Sequence, residues 1–215
     1  MFEGGLVSKI VGDEILKYLN FPDGVYFEVG SSNGLFQSNS LRLEQEQNWS
    51  GILVEASPQA YNECLLNRDN NKNIIVFGAL VADDYVGDTI KGDFNGHPMG
   101  SIGGRRMNNQ ANANIEVPTY TVTQILSYFE IEHIDFFALD VEGFELDVLR
   151  GIDFDTWSPT YFLIEWNAGE DELFPFMESK GYENLGNISD FNLIDDPKWP
   201  QNHQDFFFKL KDKNA

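Results

Sequence analysis

Apolar residues fall into short dense runs along the chain, several of which end on a carboxylate or a glycine. The first is Val25-Tyr-Phe-Glu-Val29, which breaks into Gly30-Ser-Ser-Asn-Gly34. Val25, Phe27 and Val29 have the β-branched or aromatic character of a strand, and Gly30 and Gly34 let backbone approach a ligand where a Cβ would collide. Runs over 51–55, 73–81, 134–140 and 161–165 read as further strands. Residues 116–120 read as an extended segment, and 182–185 with 205–210 as a closing antiparallel edge pair. Between these runs the spacing turns helical. Val7, Val11, Ile15 and Tyr18 share one side of a leading helix within residues 1–23. Leu35, Leu41, Leu43 and Trp49 mark a helix over 35–48 with Glu44 and Glu46 facing out. Ser57-Pro58 caps a helix through Tyr61, Leu65 and Leu66. Thr121-Val-Thr-Gln124 has the form of a capping box. Helices carrying Leu146, Val148 and Leu149, and then Leu173, Phe176 and Met177, stop at Gly151 and Gly181. Pro175 predicts a first-turn position or a kink in the second of these.

Strand and helix signals alternate without an internal repeat or linker, which is the pattern of one α/β domain over residues 1–215. The 42% apolar and 14% aromatic content supplies enough material for its core. Only residues 92–114 break the rhythm, being rich in Gly and Asn and poor in periodic apolar positions. A stretch of that length in an otherwise compact domain is a lid, a substrate-binding loop or a disordered segment. It holds His97, Ser101, Arg105 and Arg106, a local basic pair suited either to an anionic or hydroxylated substrate or to neighbouring surface carboxylates.

Thirty-five acidic against fourteen basic residues give a formal charge of −21. Such a surface repels phosphate backbones and anionic lipid, so neither nucleic acid nor membrane is expected as a partner. The lone Cys64 has no intramolecular disulfide partner, no signal peptide opens the chain, and no apolar run is long enough to span a bilayer. A soluble, cytoplasmic protein is the expectation.

Carboxylates recur at strand ends, the edge at which open α/β sheets bind ligands. Glu28 lies near the end of the first strand. Glu55 ends the second, at about the spacing from the glycine turn at which nucleotide-binding units place a carboxylate on ribose hydroxyls. The turn itself is G-x-x-x-G and lacks the G-x-G-x-x-G fingerprint of dinucleotide sites. Asp140 and Glu142 follow the fourth strand and Glu165 ends the fifth. His97, His133 and His203 are too scattered to read as a transition-metal set.

Four motifs in one order, Glu28-Val-Gly-Ser-Ser-Asn-Gly34, Leu53-Val-Glu-Ala-Ser-Pro58, Ile134-Asp-Phe-Phe-Ala-Leu-Asp-Val-Glu-Gly-Phe-Glu-Leu-Asp-Val-Leu-Arg-Gly151 and Phe162-Leu-Ile-Glu165, resemble the FkbM family of S-adenosylmethionine-dependent methyltransferases. The resemblance implies a Rossmann-like seven-stranded sheet, mostly parallel with an antiparallel C-terminal edge and helices on both faces. It also implies S-adenosylmethionine held by Glu28, Gly30, Ser31, Asn33, Gly34, Glu55, Ala56, Ala79, Leu80 and Asp140, with Asp83 or Asp84 on the adenine amine. On this reading Asp140 accepts a proton, with Glu142 and Glu165 as catalytic neighbours. A divalent cation held by the same three carboxylates is the less favoured use. The implied reaction is methyl transfer to a hydroxyl of a small molecule, sugar or glycan. A catalytically silent methyltransferase-like interaction module and a nicotinamide-dependent oxidoreductase are the alternatives.

Overall fold

The computed structural model describes residues 9–69, 71–95, 100–103, 114–166, 170–189 and 204–212. In chain order they form α1 (Lys9–Leu16), β1 (Val25–Val29), α2 (Leu41–Gln47), β2 (Ser50–Glu55), α3 (Pro58–Arg68), β3 (Asn73–Phe77), β4 (Ala79–Leu80) and β5 (Thr89–Gly92). There follow β6 (Ile115–Tyr120), α4 (Val122–Tyr128), β7 (Phe136–Leu139), α5 (Glu145–Arg150), β8 (Tyr161–Glu165), α6 (Glu170–Ser179), β9 (Tyr182–Asn187) and β10 (Asp205–Leu210). Seven strands make one sheet in the order β3-β2-β1-β7-β8-β10-β9. Its left five are mutually parallel, and β10 runs antiparallel to both β8 and β9. The expected sheet, including its antiparallel C-terminal edge, is present.

Helices cover both faces, which is why β1, β2, β7 and β8 read as nearly unbroken apolar runs. Phe27, Val29, Ile52, Val54, Phe137, Leu139, Phe162 and Ile164 pack on one side against α4, α5 and α6. Tyr26, Leu53, Phe136, Ala138 and Leu163 point to the other, where Val11 and Ile15 of α1, Leu43 of α2 and Cys64 of α3 meet them. The caps read from sequence form as well. Ser57 Oγ accepts from Ala60 N, and Thr121 exchanges hydrogen bonds of 3.0 and 2.8 Å with Gln124.

Three local expectations are corrected. The run over 73–81 is two strands, because Gly78, at φ +151°, turns the chain out of the main sheet; β4 then pairs with β6, and β5 completes a small second sheet β4-β6-β5. A side chain at Gly78 would crowd Pro118 O and the Tyr120 ring at 2.8 Å. Second, the helix expected over 35–48 begins only at Leu41, and Leu35 is exposed. Glu44, expected to face out, turns inward onto the buried Arg68 at 2.7 Å. Third, the buried face of α3 is Cys64 and Arg68, while Leu66 is 88% exposed. Pro175, expected either in a first turn or at a kink, lies in the interior of α6. Val7 of the leading helix lies outside the described residues.

Candidate active site

The chain runs from β1 outward to β2 and β3, then crosses back to place β7 on the other side of β1. That reversal leaves a crevice at the carboxyl ends of β1 and β7, the place where open parallel sheets bind ligands. A cleft with a cavity volume of about 100 Å³ opens there. Gly30 and Ser32 line it from the turn after β1, Glu55, Ala56 and Ser57 from the end of β2, and Gly78, Ala79 and Leu80 from the break between β3 and β4. Asp140, Val141, Glu142 and Phe144 follow β7 into it, and Phe36, Phe94, Ser101 and Ile102 close the sides.

Gly30, at φ +79°, occupies the tightest position. A Cβ there would sit on the carbonyl oxygen of Asp140 and 2.9 Å from its carbonyl carbon, so the turns after β1 and β7 touch through backbone. Asp140 N donates to Val29 O at 3.1 Å and locks the same contact. The absent side chain is therefore required by the neighbouring strand, whereas the sequence reading assigned it to the ligand alone. Gly34 is required by α3. Its Cβ would lie 2.6 Å from Arg68 Cγ and 2.9 Å from Cys64 Sγ.

Glu55 is fixed by two backbone amides, with Ser32 N donating to Oε2 at 2.8 Å and Ser57 N to Oε1 at 2.6 Å. Burial nevertheless pushes its carboxyl above the usual range, the amides pulling the other way. Each oxygen keeps a further lone pair for a donor from a ligand, and hydroxyl donors would stabilise the charged form. Ser32, which brings its amide to Glu55, holds a left-handed φ of +48° to do so.

Across the cleft, Asp140, Glu142 and Glu165 bring carboxylate oxygens within 4.8 Å of one another. Burial, then the charges of Glu165 and Glu142, raise the Asp140 carboxyl well above its ordinary value, and a hydrogen bond joins it to Glu165. Oxygens so spaced can share a proton or a hard cation. Glu142 reaches this position from a left-handed turn, with φ +57° followed by Gly143 at +100°. Asp140 does not cap the following helix. That helix has no side-chain cap, and its first residue, Glu145, instead ties down the turn before it, its Oε1 accepting from Gly143 N at 2.9 Å and Val141 N at 3.3 Å.

Of the residues singled out from sequence, Gly30, Glu55, Ala56, Ala79, Leu80, Ser101, Asp140 and Glu142 line the cleft, and Glu165 stands behind Asp140. Others turn away from it. Glu28 is 2% exposed, and its carboxylate accepts from Ser38 Oγ, Ser40 Oγ and Asn39 N, so it braces the loop and does not face the ligand space. Asn33 Oδ1 accepts from Leu35 N and Phe36 N and shapes the same loop. Ser31 is buried against Cys64 Sγ at 3.9 Å, and burial pushes that thiol up to about 11, out of range for a nucleophile at neutral pH. Asp83 and Asp84 are exposed and do not line the cleft. His97, Arg105 and Arg106, and most of the 92–114 stretch, lie outside the described residues. The sequence reading missed Phe36, Phe94, Phe144 and the buried Glu145. Only Glu145 left a trace, as a carboxylate inside an otherwise apolar helical run.

Residues 28–184, more than half of the chain, match the family described as the methyltransferase FkbM domain. No curated protein is matched. Among solved structures, TrmK of M. capricolum in complex with S-adenosyl-homocysteine is similar with a TM-score of 0.55 at 10% sequence identity, over 96% of this chain and 70% of that one. A precorrin-6y C5,15-methyltransferase from Geobacter metallireducens GS-15 gives 0.52 at 14% identity, over 98% and 95%. A methyltransferase FkbM from Methylobacillus flagellatus KT gives 0.54 at 14% identity, over 87% of this chain but 43% of that one, so this chain spans less than half of that relative's length. At these identities the likeness is one of fold.

Proposed function

This chain belongs to the methyltransferase FkbM domain family, and from that premise we propose that it transfers a methyl group from S-adenosylmethionine to a hydroxyl of a small molecule, sugar or glycan. The observation that carries the reading is the convergence of Glu55 and Asp140 on one cleft, from opposite sides of a turn with no room for a side chain. The residues present suit the cofactor. Glu55 offers two oriented carboxylate oxygens to ribose hydroxyls, Ala56, Ala79 and Leu80 offer a flat apolar wall to an adenine, and the amides from Gly30 to Ser32 border the space left for the amino-acid end. When bound, S-adenosylmethionine supplies an electrophilic methyl on a sulfonium.

The remaining work belongs to the chain. Phe36, Phe94 and Phe144 exclude water from the cleft and hold the acceptor against its acidic end. Asp140 takes up the hydroxyl proton on its carboxylate, whose affinity for a proton is raised by burial and by the charges of Glu165 and Glu142. Glu165 holds Asp140 in place through their hydrogen bond, and Glu142 contributes to the raised pKa by its charge. Proton sharing within this group accounts for its crowding without a cation.

Calorimetry on the intact chain with S-adenosylmethionine, S-adenosylhomocysteine and NAD tests the reading. The two sulfur nucleosides should bind and NAD should not. Binding of NAD in their place would make the protein an oxidoreductase, and binding of none would leave an interaction module.

A further inference from the structure

From Gly30 to Ser40 the chain forms no helix or strand, and Gly30, Ser32, Gly34 and Gln37 all carry positive φ, at 79°, 48°, 77° and 53°. Such a loop does not hold its own shape. Its support comes from beneath. Arg68, at the end of α3, is 1% exposed. Its Nη1 donates to Gly34 O at 2.7 Å and Ser38 Oγ at 3.1 Å, its Nη2 to Tyr26 OH at 2.8 Å and Ser40 Oγ at 3.1 Å, and its Nε to Glu44 Oε2 at 2.9 Å. A guanidinium has five N–H donors, and each here has an acceptor. Ser38 and Ser40 pass the polarity on, each donating to Glu28 Oε2, while Asn39 N donates to Oε1 at 2.7 Å. The loop is thus suspended between a buried cation and a buried anion. Burial works against the guanidinium charge, but Tyr26, Glu28 and Glu44 outweigh it and hold Arg68 charged.

We propose that Arg68 is a positioning residue for the ligand-binding turn: it fixes Gly34 and Ser38 from behind, and through them the 30–34 backbone that borders the cleft, without touching ligand. The proposal rests on the methyltransferase reading only for the identity of that ligand. A plain stabilising ion pair is the competing account, and Glu44 separates the two. Glu44 pairs with Arg68 but also accepts from Tyr26 OH and Asn73 Nδ2, contacts away from the loop. Lysine keeps the charge, yet has three donors and no planar fork, so it cannot serve Gly34 O, Ser38, Ser40, Tyr26 and Glu44 together.

The test compares Arg68→Lys with Glu44→Gln in the full chain, reading melting temperature, hydrogen exchange of amides 31–39 without ligand, and S-adenosylhomocysteine affinity. Arg68→Lys should speed exchange in the loop about tenfold and weaken binding about tenfold or more, the scale of one or two lost buried hydrogen bonds. Glu44→Gln, with a comparable fall in melting temperature, should leave both within about threefold. Unchanged loop exchange in Arg68→Lys, or an equal loss of affinity in both variants, overturns the proposal. If Arg68→Lys does not fold, Ser38→Ala removes one acceptor of Arg68 and one donor to Glu28 with every charge kept. It should still loosen residues 34–39, and unchanged exchange there overturns the proposal too. A wild type that binds no S-adenosylhomocysteine defeats the function proposed above, and the exchange comparison still decides the role of Arg68.

Discussion

Glu145 opens α5 with 1% exposure, held by the amides of Val141 and Gly143 at the rear of the acidic end of the cleft. Burial pushes its carboxyl from 4.5 up to about 7 against the pull of those amides. With the folded pKa above the unfolded one, the folded protein holds an extra proton between the two values, so stability falls as pH rises through that window at about 1.4 kcal/mol per pH unit. From pH 4.5 to about 7 the loss amounts to about 3 kcal/mol, none of it present below pH 4.5 and all of it above 7. Glu145→Gln is neutral at every pH and keeps an oxygen for both amides. Its stability relative to wild type should therefore rise by about 3 kcal/mol between pH 4.5 and pH 8. Urea unfolding of both proteins at about pH 4.5, 6 and 8 measures this. The paired comparison cancels the contribution of Asp140, which has the same sign. A wild-type-to-variant difference constant within about 0.5 kcal/mol across that range would refute the claim that this carboxyl is buried neutral.

Gly30→Ala should destabilise the fold by about 2–4 kcal/mol, from overpacking against Asp140 O plus a left-handed φ on an L-residue, and wild-type stability in urea would contradict the close approach of the two turns. Asp140→Asn should keep S-adenosylhomocysteine affinity within a few-fold while cutting turnover by about two to four orders of magnitude; full turnover would remove Asp140 as the proton acceptor. Exhaustive chelation should leave wild-type turnover intact. A loss that magnesium or manganese restores would instead assign Asp140, Glu142 and Glu165 to a cation.

The central strands were legible because burial on both faces writes itself as unbroken apolar runs, as at Val25–Val29 and Tyr161–Glu165. The caps at Ser57 and Thr121 were legible because their chemistry is local. What sequence could not show is where a strand-end side chain turns. Glu28 lies one residue short of the end of β1, level with Leu53, and is held under the loop by Ser38 and Ser40, whereas Glu55 ends β2 and turns into the cleft with Ser32 N on it. Glu44 looked solvent-facing because its partner Arg68 lies on another helix. The strand at Thr89–Gly92 has a mostly exposed pattern that carries no apolar alternation, so the second sheet showed in the sequence only as the extended segment over 116–120. Gly78 appeared as one residue inside a continuous run, although its φ ends the strand.

The strand order has a consequence for synthesis. β1 and β7 are neighbours, with Phe27 stacked on Phe137 at 4.9 Å and Val25 N bonded to Asp135 Oδ2, 110 residues further on. A nascent chain released through β3 can pair β1, β2 and β3, but the inner edge of β1 then waits for residues 136–139 to emerge. At ordinary elongation rates that wait is on the order of 3–12 s, during which unpaired backbone groups beside Phe27 and Val29 are open to a wrong partner. The acidic end of the cleft does not exist in that interval. A small molecule that binds the finished cleft can therefore rescue folding only after β7 has docked, and protection of the growing chain before then falls to whatever shields the edge of β1.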